Sequence, residues 1–179
     1  MKNSLLIILL SFFTLGIFSC SREGENLEIE EYTGPMFESE NVRIMITDST
    51  VVKVIMSGAK QLQQQNGDVE FPEGIKVTFY DKSGEKISEL TAQEGFKAAE
   101  ENFYRARGDV YVRNLQKKET LSTEELYWDP ELHEIYTDKF LTIQTEDELI
   151  MAEGMRAPED FSTYELVKIR DSEIILEEK

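Results

Sequence analysis

From Asn41 onward, apolar and polar residues alternate with period two, the pattern of strands that bury one face. Val42, Ile44 and Ile46 alternate with Arg43, Met45 and Thr47; Asp48-Ser49-Thr50 supplies a turn, and residues 51–56 are β-branched and apolar. Residues 59–71 are more polar, with Gln61, Gln63, Gln64, Gln65 and Asn66, and the Asn66-Gly67 step signals a turn. After Pro72-Glu73-Gly74, Ile75, Val77 and Phe79 alternate with Lys76, Thr78 and Tyr80, which puts Thr78 on the outward side. The turn Asp81-Lys82-Ser83-Gly84 then leads into a partner strand at 86–92. No window beyond residue 20 shows a capped 3.6-residue period, and residues 94–101, the nearest candidate, fit a strand and tight turn better.

A strand-turn-strand pattern recurs at 90–112, 121–143 and 150–169. Ala92-Gln93-Glu94-Gly95-Phe96, Thr123-Glu124-Glu125-Leu126-Tyr127 and Ala152-Glu153-Gly154-Met155-Arg156 fall at equivalent places, each followed by an acidic turn. The offsets, 31 residues from Gln93 to Glu124 and 29 from Glu124 to Glu153, are those of a repeat whose units bury their apolar faces against neighbours. The expectation is an all-β, antiparallel domain of about a dozen strands, with one-faced strands closing on a second sheet or on a fold of their own.

The N-terminus modifies this picture. Lys2 and the apolar stretch from Leu5 to Phe18 read as a signal peptide over 1–19, because fourteen helical residues reach only about 21 Å, short of the roughly 30 Å hydrocarbon core. Ile17-Phe18-Ser19-Cys20 resembles a bacterial lipobox, which makes Cys20 the point of lipid attachment. As the sole cysteine it leaves the folded part without disulfides or thiolate metal sites. Residues 20–35, rich in glutamate, read as an acidic flexible tether, 36–170 as the folded domain and 171–179 as a tail. The chain would sit on the periplasmic side of a bacterial membrane.

The formal net charge of −17, one unit lower once Lys2 leaves with the signal, argues against nucleic acid as a partner, since that affinity comes mostly from cationic contacts to phosphates. It also disfavours docking on anionic headgroups.

Taken in order, several segments resemble the LptC-type periplasmic proteins of lipopolysaccharide export, in a lipoprotein form as in Bacteroidetes-like bacteria. They are Asn41-Val42-Arg43-Ile44 with Thr47-Asp48-Ser49; Phe71-Pro72-Glu73-Gly74-Ile75 with Phe79-Tyr80-Asp81; and Ala106-Arg107-Gly108-Asp109-Val110. Leu121-Ser122-Thr123-Glu124-Glu125-Leu126-Tyr127-Trp128-Asp129, Ile135-Tyr136-Thr137-Asp138 and Phe161-Ser162-Thr163-Tyr164 continue the series. The resemblance implies a twisted β-jelly roll, open along one side as a folded sheet, with an apolar trough for acyl chains. It also implies that the lipid comes from an inner-membrane ATP-driven extractor (LptB/LptF/LptG-like) and passes to an LptA-like protein by strand pairing. Two departures are the lipobox in place of a transmembrane helix and the tail beyond the last matched strand. The implied role favours the inner membrane for the anchor, while Ser21 after Cys20 leaves the outer membrane open.

The alternation selects Ile75, Val77, Phe79, Ala106, Val110, Val112, Leu121, Leu126, Trp128, Leu141, Ile143 and Met151 as trough residues. A plain sandwich core would show the same pattern. Val42, Ile44 and Ile46 are candidates for an incoming docking edge, and Tyr164, Leu166, Val167 and Ile169 for an outgoing one. Arg105 and Arg107, with Lys117 and Lys118, are the only local concentration of cations; as solvated surface they leave recognition to acyl chains.

An enzyme fits poorly. His133 is the single histidine, in a predicted exposed turn, and no nucleophile elbow, phosphate loop or metal-spaced histidine set is present, so neither cofactor nor metal is expected. The alternative is an envelope lipoprotein that binds a protein or a glycan through its sheet surface, which exposed outer aromatic residues would favour.

Overall fold

The computed structural model describes residues 31–101 and 103–174, and those from Gly34 onward form one compact unit. The signal peptide, Cys20, most of the expected tether and residues 175–179 lie outside the described residues. Every regular element described is a strand: β1 (Phe37–Asp48), β2 (Val51–Gln63), β3 (Val69–Phe71), β4 (Ile75–Tyr80), β5 (Lys86–Ala92), β6 (Glu94–Lys97), β7 (Tyr104–Asn114), β8 (Glu119–Asp129), β9 (Glu134–Gln144), β10 (Glu148–Pro158), β11 (Glu165–Leu166) and β12 (Ile169–Ile174). The protein is all-β, and all its strand pairs are antiparallel within one sheet, consistent with a β-jelly roll.

The connectivity is a meander. β3 and β4 lie end to end along β2, β5 and β6 lie end to end along β7, and β11 and β12 both run along β10. Short polar turns make this possible: Asp81 accepts backbone N–H bonds from Ser83 and Glu85 through Oδ1, and Asp129 accepts from Glu131 and Leu132 in the same way.

One row of irregularities crosses the sheet. Asn41 (φ 51°) in β1, Gly74 (φ 94°) between β3 and β4, Gly108 and Asp109 (φ 76° and 45°) in β7, Gly154 (φ 88°) in β10 and Lys168 (φ 48°) between β11 and β12 occupy the left-handed region. Gln93 interrupts β5 and β6 opposite them, donating its N–H to the Gly108 carbonyl at 2.9 Å. The β8–β9 register shifts between Thr123 and Tyr127, and the β9–β10 register between Glu153 and Met155. Bulges bend strands and increase their twist, so a bulge at one level in successive strands folds the sheet on itself. The three repeated segments of the sequence are three of the passages through this bend.

Side chains from the two sides of the bend meet inside. Phe79, from β4 above the row, lies edge-on to Trp128 of β8 below it and to Phe161 of the β10–β11 connection. Close packing leaves no room for side chains at two glycines, since a Cβ on Gly58 would stand 2.7 Å from the Phe71 ring and one on Gly95 2.7 Å from Ile75.

Two expectations need correction. Thr78 does lie on the outward side, yet it is buried, flanked across the sheet by Ile55 and Glu89. The last strand does not stop near residue 170, because β12 continues to Ile174 along Glu148–Met151, which takes the first part of the expected tail into the sheet.

Candidate functional site

Because strand side chains alternate and antiparallel registers align them, an apolar rung forms wherever every strand places an aliphatic residue at the same level. Here Ile44 pairs with Met56, Met56 with Val77, Val77 with Leu90, Leu90 with Val112, Val112 with Leu121, Leu121 with Ile143 and Ile143 with Ile150. This rung runs across the strands from β1 to β10, roughly 34 Å at about 4.8 Å per strand spacing. A parallel row, Val110, Thr123, Leu141 and Ala152, lies toward the bend. The row on the other side starts apolar with Ile46, Val54 and Phe79, then turns polar at Ser88, Asn114 and Glu119.

Of the residues selected from sequence, Ile75, Val77, Phe79, Ala106, Val110, Val112, Leu121, Leu126, Trp128, Leu141 and Ile143 all lie in this buried interior. Met151 does not. It pairs with Thr142 and Asp171 on the outward side, and its neighbour Ile150 faces in. The inward phase of β10 is even-numbered before Gly154 (Ile150, Ala152) and odd-numbered after it (Met155, Ala157), so the bulge changes the parity. Met56, Leu90, Ile135, Met155 and Phe161 join the interior without having been singled out, Phe161 because it belongs to a turn and carries no alternation signal.

The interior is filled by its own side chains. The void between Phe71, Val77, Leu90, Tyr104, Leu126 and Ile135 measures about 30 Å³, room for little more than a water molecule. Burial pushes the Tyr104 hydroxyl pKa upward, and Tyr104 stacks on Trp128 with ring centroids 4.7 Å apart.

The candidate edges differ in character. Among the described residues β1 pairs with β2 alone; Val42, Ile44 and Ile46 are half-buried on its inner side, while Met45 and Phe37 are exposed. At the opposite end Tyr164 precedes β11, Leu166 lies in β11, Val167 bridges to β12 and Ile169 opens β12, all beside β10. Val167 donates its N–H to the Gly154 carbonyl at 3.0 Å, so that group already serves the sheet.

Of the four cations noted in the sequence, Arg105 and Arg107 line one pocket of about 330 Å³, with Glu70 and Glu94 in its wall. Arg105 lies over the Phe96 ring, Lys117 over the Tyr164 ring, and Lys118 pairs with Glu146 at 2.7 Å. His133 is exposed and stands 3.1 Å from Glu159 through Nδ1. The most concentrated charge lies on the outer side, where Lys76, Arg113 and Lys86 surround Glu89 at 3.1, 2.8 and 3.3 Å and hold its carboxyl down to about 2. Also outside, exposed Tyr111 and Phe140 line a groove of about 590 Å³.

These features define a class: a folded antiparallel sheet with a continuous apolar interior that runs between edge strands. Residues 4–170 match the family described as lipopolysaccharide-assembly, LptC-related, and the chain belongs to that family. It is therefore an LptC-type protein of lipopolysaccharide transport, associated with that machinery in the periplasmic part of the cell envelope, and its family is one of transport and binding proteins. No curated protein gives a significant match.

Proposed function

We propose that this protein, without catalysing a reaction, takes the acyl chains of lipopolysaccharide between the two sides of its folded sheet and moves them along the aliphatic rung from one edge to the other. The observation that carries this reading is the unbroken run from Ile44 to Ile150, whose direction is across the strands and toward both edges. Burying a chain of about a dozen carbons is worth roughly 10 kcal/mol at ~0.8 kcal/mol per methylene, enough to offset the opening of a closed interior. The β1 edge would receive lipid from an LptB/LptF/LptG-like extractor, and the β11–β12 edge would pair with an LptA-like partner, the chain being held to the membrane through Cys20. Photocrosslinking in living cells tests the interior: Val77 and Val112 are expected to label lipopolysaccharide and exposed Ser122 is not. Labelling from Ser122 alone would sink the reading.

A second reading, in which the sheet surface binds a protein or glycan, is favoured by the exposed pair Tyr111 and Phe140 in their outer groove. Alanine at both positions, with lipopolysaccharide labelling from Val112 retained and transport abolished, would support it.

A further inference from the structure

The inner row that runs Ile46, Val54 and Phe79 continues as the polar residues Ser88 and Asn114, and Phe161 and Tyr164 of a segment without strand structure, residues 159–164, lie against its polar end. Phe161 is buried, while Asp160, Ser162 and Thr163 beside it are exposed. Its ring lies edge-on to Phe79 at 6.5 Å, its carbonyl accepts a bond from Asn114 Nδ2 at 3.3 Å, and its backbone is held at φ 52°. Ser88 lies between Phe79 and Asn114 in the register, is 0 % exposed, and its Oγ has no hydrogen-bond partner. A hydroxyl buried in this way loses its hydration with nothing in return.

The segment is held by a few polar and aromatic contacts at its margins. Glu159 accepts from Trp128 Nε1 at 3.2 Å and lies beside His133; Lys117 stands over Tyr164 at 5.4 Å; the Glu159 N–H bonds the His133 carbonyl. Beneath it Val112, Leu121, Ile143 and Met155 surround a void of about 20 Å³ that Phe161 and Tyr164 close. A segment with one buried side chain and a few latches at its margins opens locally at smaller cost than the strands around it.

We propose that residues 159–164 form a displaceable plug: Phe161 fills the end of the interior in the unloaded protein, and incoming lipid replaces it. The acyl chain then occupies the space of the Phe161 ring, and Ser88 Oγ together with Asn114 Nδ2, released from the Phe161 carbonyl, donates to the ester or amide carbonyl at the head of that chain. This rests on the interior-binding reading above, and it explains how a filled interior admits cargo and why an unpaired hydroxyl is kept within it.

The test uses the folded chain with cis-parinaric acid as a fluorescent acyl probe and with lipopolysaccharide itself. Trp128 is the single tryptophan and touches the plug, so its emission reports displacement. Phe161→Ala is expected to bind both probes about three- to tenfold more tightly, and Glu159→Gln, which loosens the latch without disturbing the core, is expected to shift in the same direction. In the wild type, saturating lipid shifts Trp128 emission toward that of Phe161→Ala. Ser88→Ala keeps or raises the melting temperature and binds about three- to tenfold more weakly, as loss of one hydrogen bond predicts. Equal affinity in wild type, Phe161→Ala and Glu159→Gln would overturn the plug while leaving interior binding intact. Failure of every variant and the wild type to bind either probe would remove the interior reading and the plug with it.

Discussion

The ring of Phe79 meets the ring of Trp128 edge-on, with centroids 5.7 Å apart and planes at 79°, and the two residues lie on opposite sides of the bulge row. Phe79 is 4 % and Trp128 7 % exposed, so the contact is part of what holds the folded sheet closed. Phe79→Ala removes a buried ring and leaves a cavity between the two sides, with an expected loss of about 3–5 kcal/mol in urea unfolding. Because the sides would part first, Trp128 emission should change at lower urea than far-ultraviolet circular dichroism does. Coincident transitions in this variant would show that the sheet unfolds as a unit.

The cluster around Glu89 makes stability depend on pH. Lys76 first, then Arg113 and Lys86, lower its carboxyl from 4.5 to about 2, so the folded state binds this proton less readily than the unfolded one. The sign follows: the stabilisation is complete above pH 4.5 and disappears as pH falls toward 2. In Glu89→Gln the three cations lose their shared partner, so the variant is less stable at neutral pH and the gap to wild type narrows on acidification. A gap that stays constant from pH 6 to pH 2.5 would remove Glu89 from the account.

Much of this fold was legible because it is local. Alternation in 42–46, 75–79 and the three repeats marks strands that do turn an apolar face inward, and the repeated segments fall at the bend because each unit runs through it on one strand and returns through it on the next. What alternation cannot carry is phase across a bulge. A one-residue shift reverses which residues face in, and nothing in Leu149-Ile150-Met151-Ala152 by itself favours Ile150 over Met151 as the inward residue. The signal that was available is glycine inside a strand, at Gly108 and Gly154, where bulges concentrate. Phe161 and Ser88 stayed hidden for other reasons: one belongs to a turn that folds back from a distance, and the other is a polar residue in an inward position.

The parity change in β10 yields a sharp comparison between adjacent residues. A photoreactive group at Ile150 extends the aliphatic rung, whereas the same group at Met151 faces outward beside Thr142 and Asp171. Lipopolysaccharide labelling is expected from Ile150 at a level similar to that from Val112, and from Met151 at least about tenfold less. Equal labelling from the two would mean that lipid contacts this strand from both sides, which the folded-sheet route does not allow.

Strand docking at the β12 edge can be separated from simple unfolding by the geometry of a strand. Successive N–H groups of an extended strand point to opposite edges, one toward β10 and the next away from it, and proline removes the group at its own position. Ser172 and Glu173 are adjacent in β12 and register with Ile150 and Leu149. Of Ser172→Pro and Glu173→Pro, one therefore breaks the β10–β12 ladder and lowers the melting temperature, and the other leaves the ladder intact while removing a donor from the free edge. The expected result is that both lose capture of an LptA-like partner, and that one of them does so with a melting temperature within about 2 °C of wild type, since an edge position outside the ladder contributes little to stability. If the thermally unaffected variant captures the partner as the wild type does, the β12 edge is not where the next protein joins.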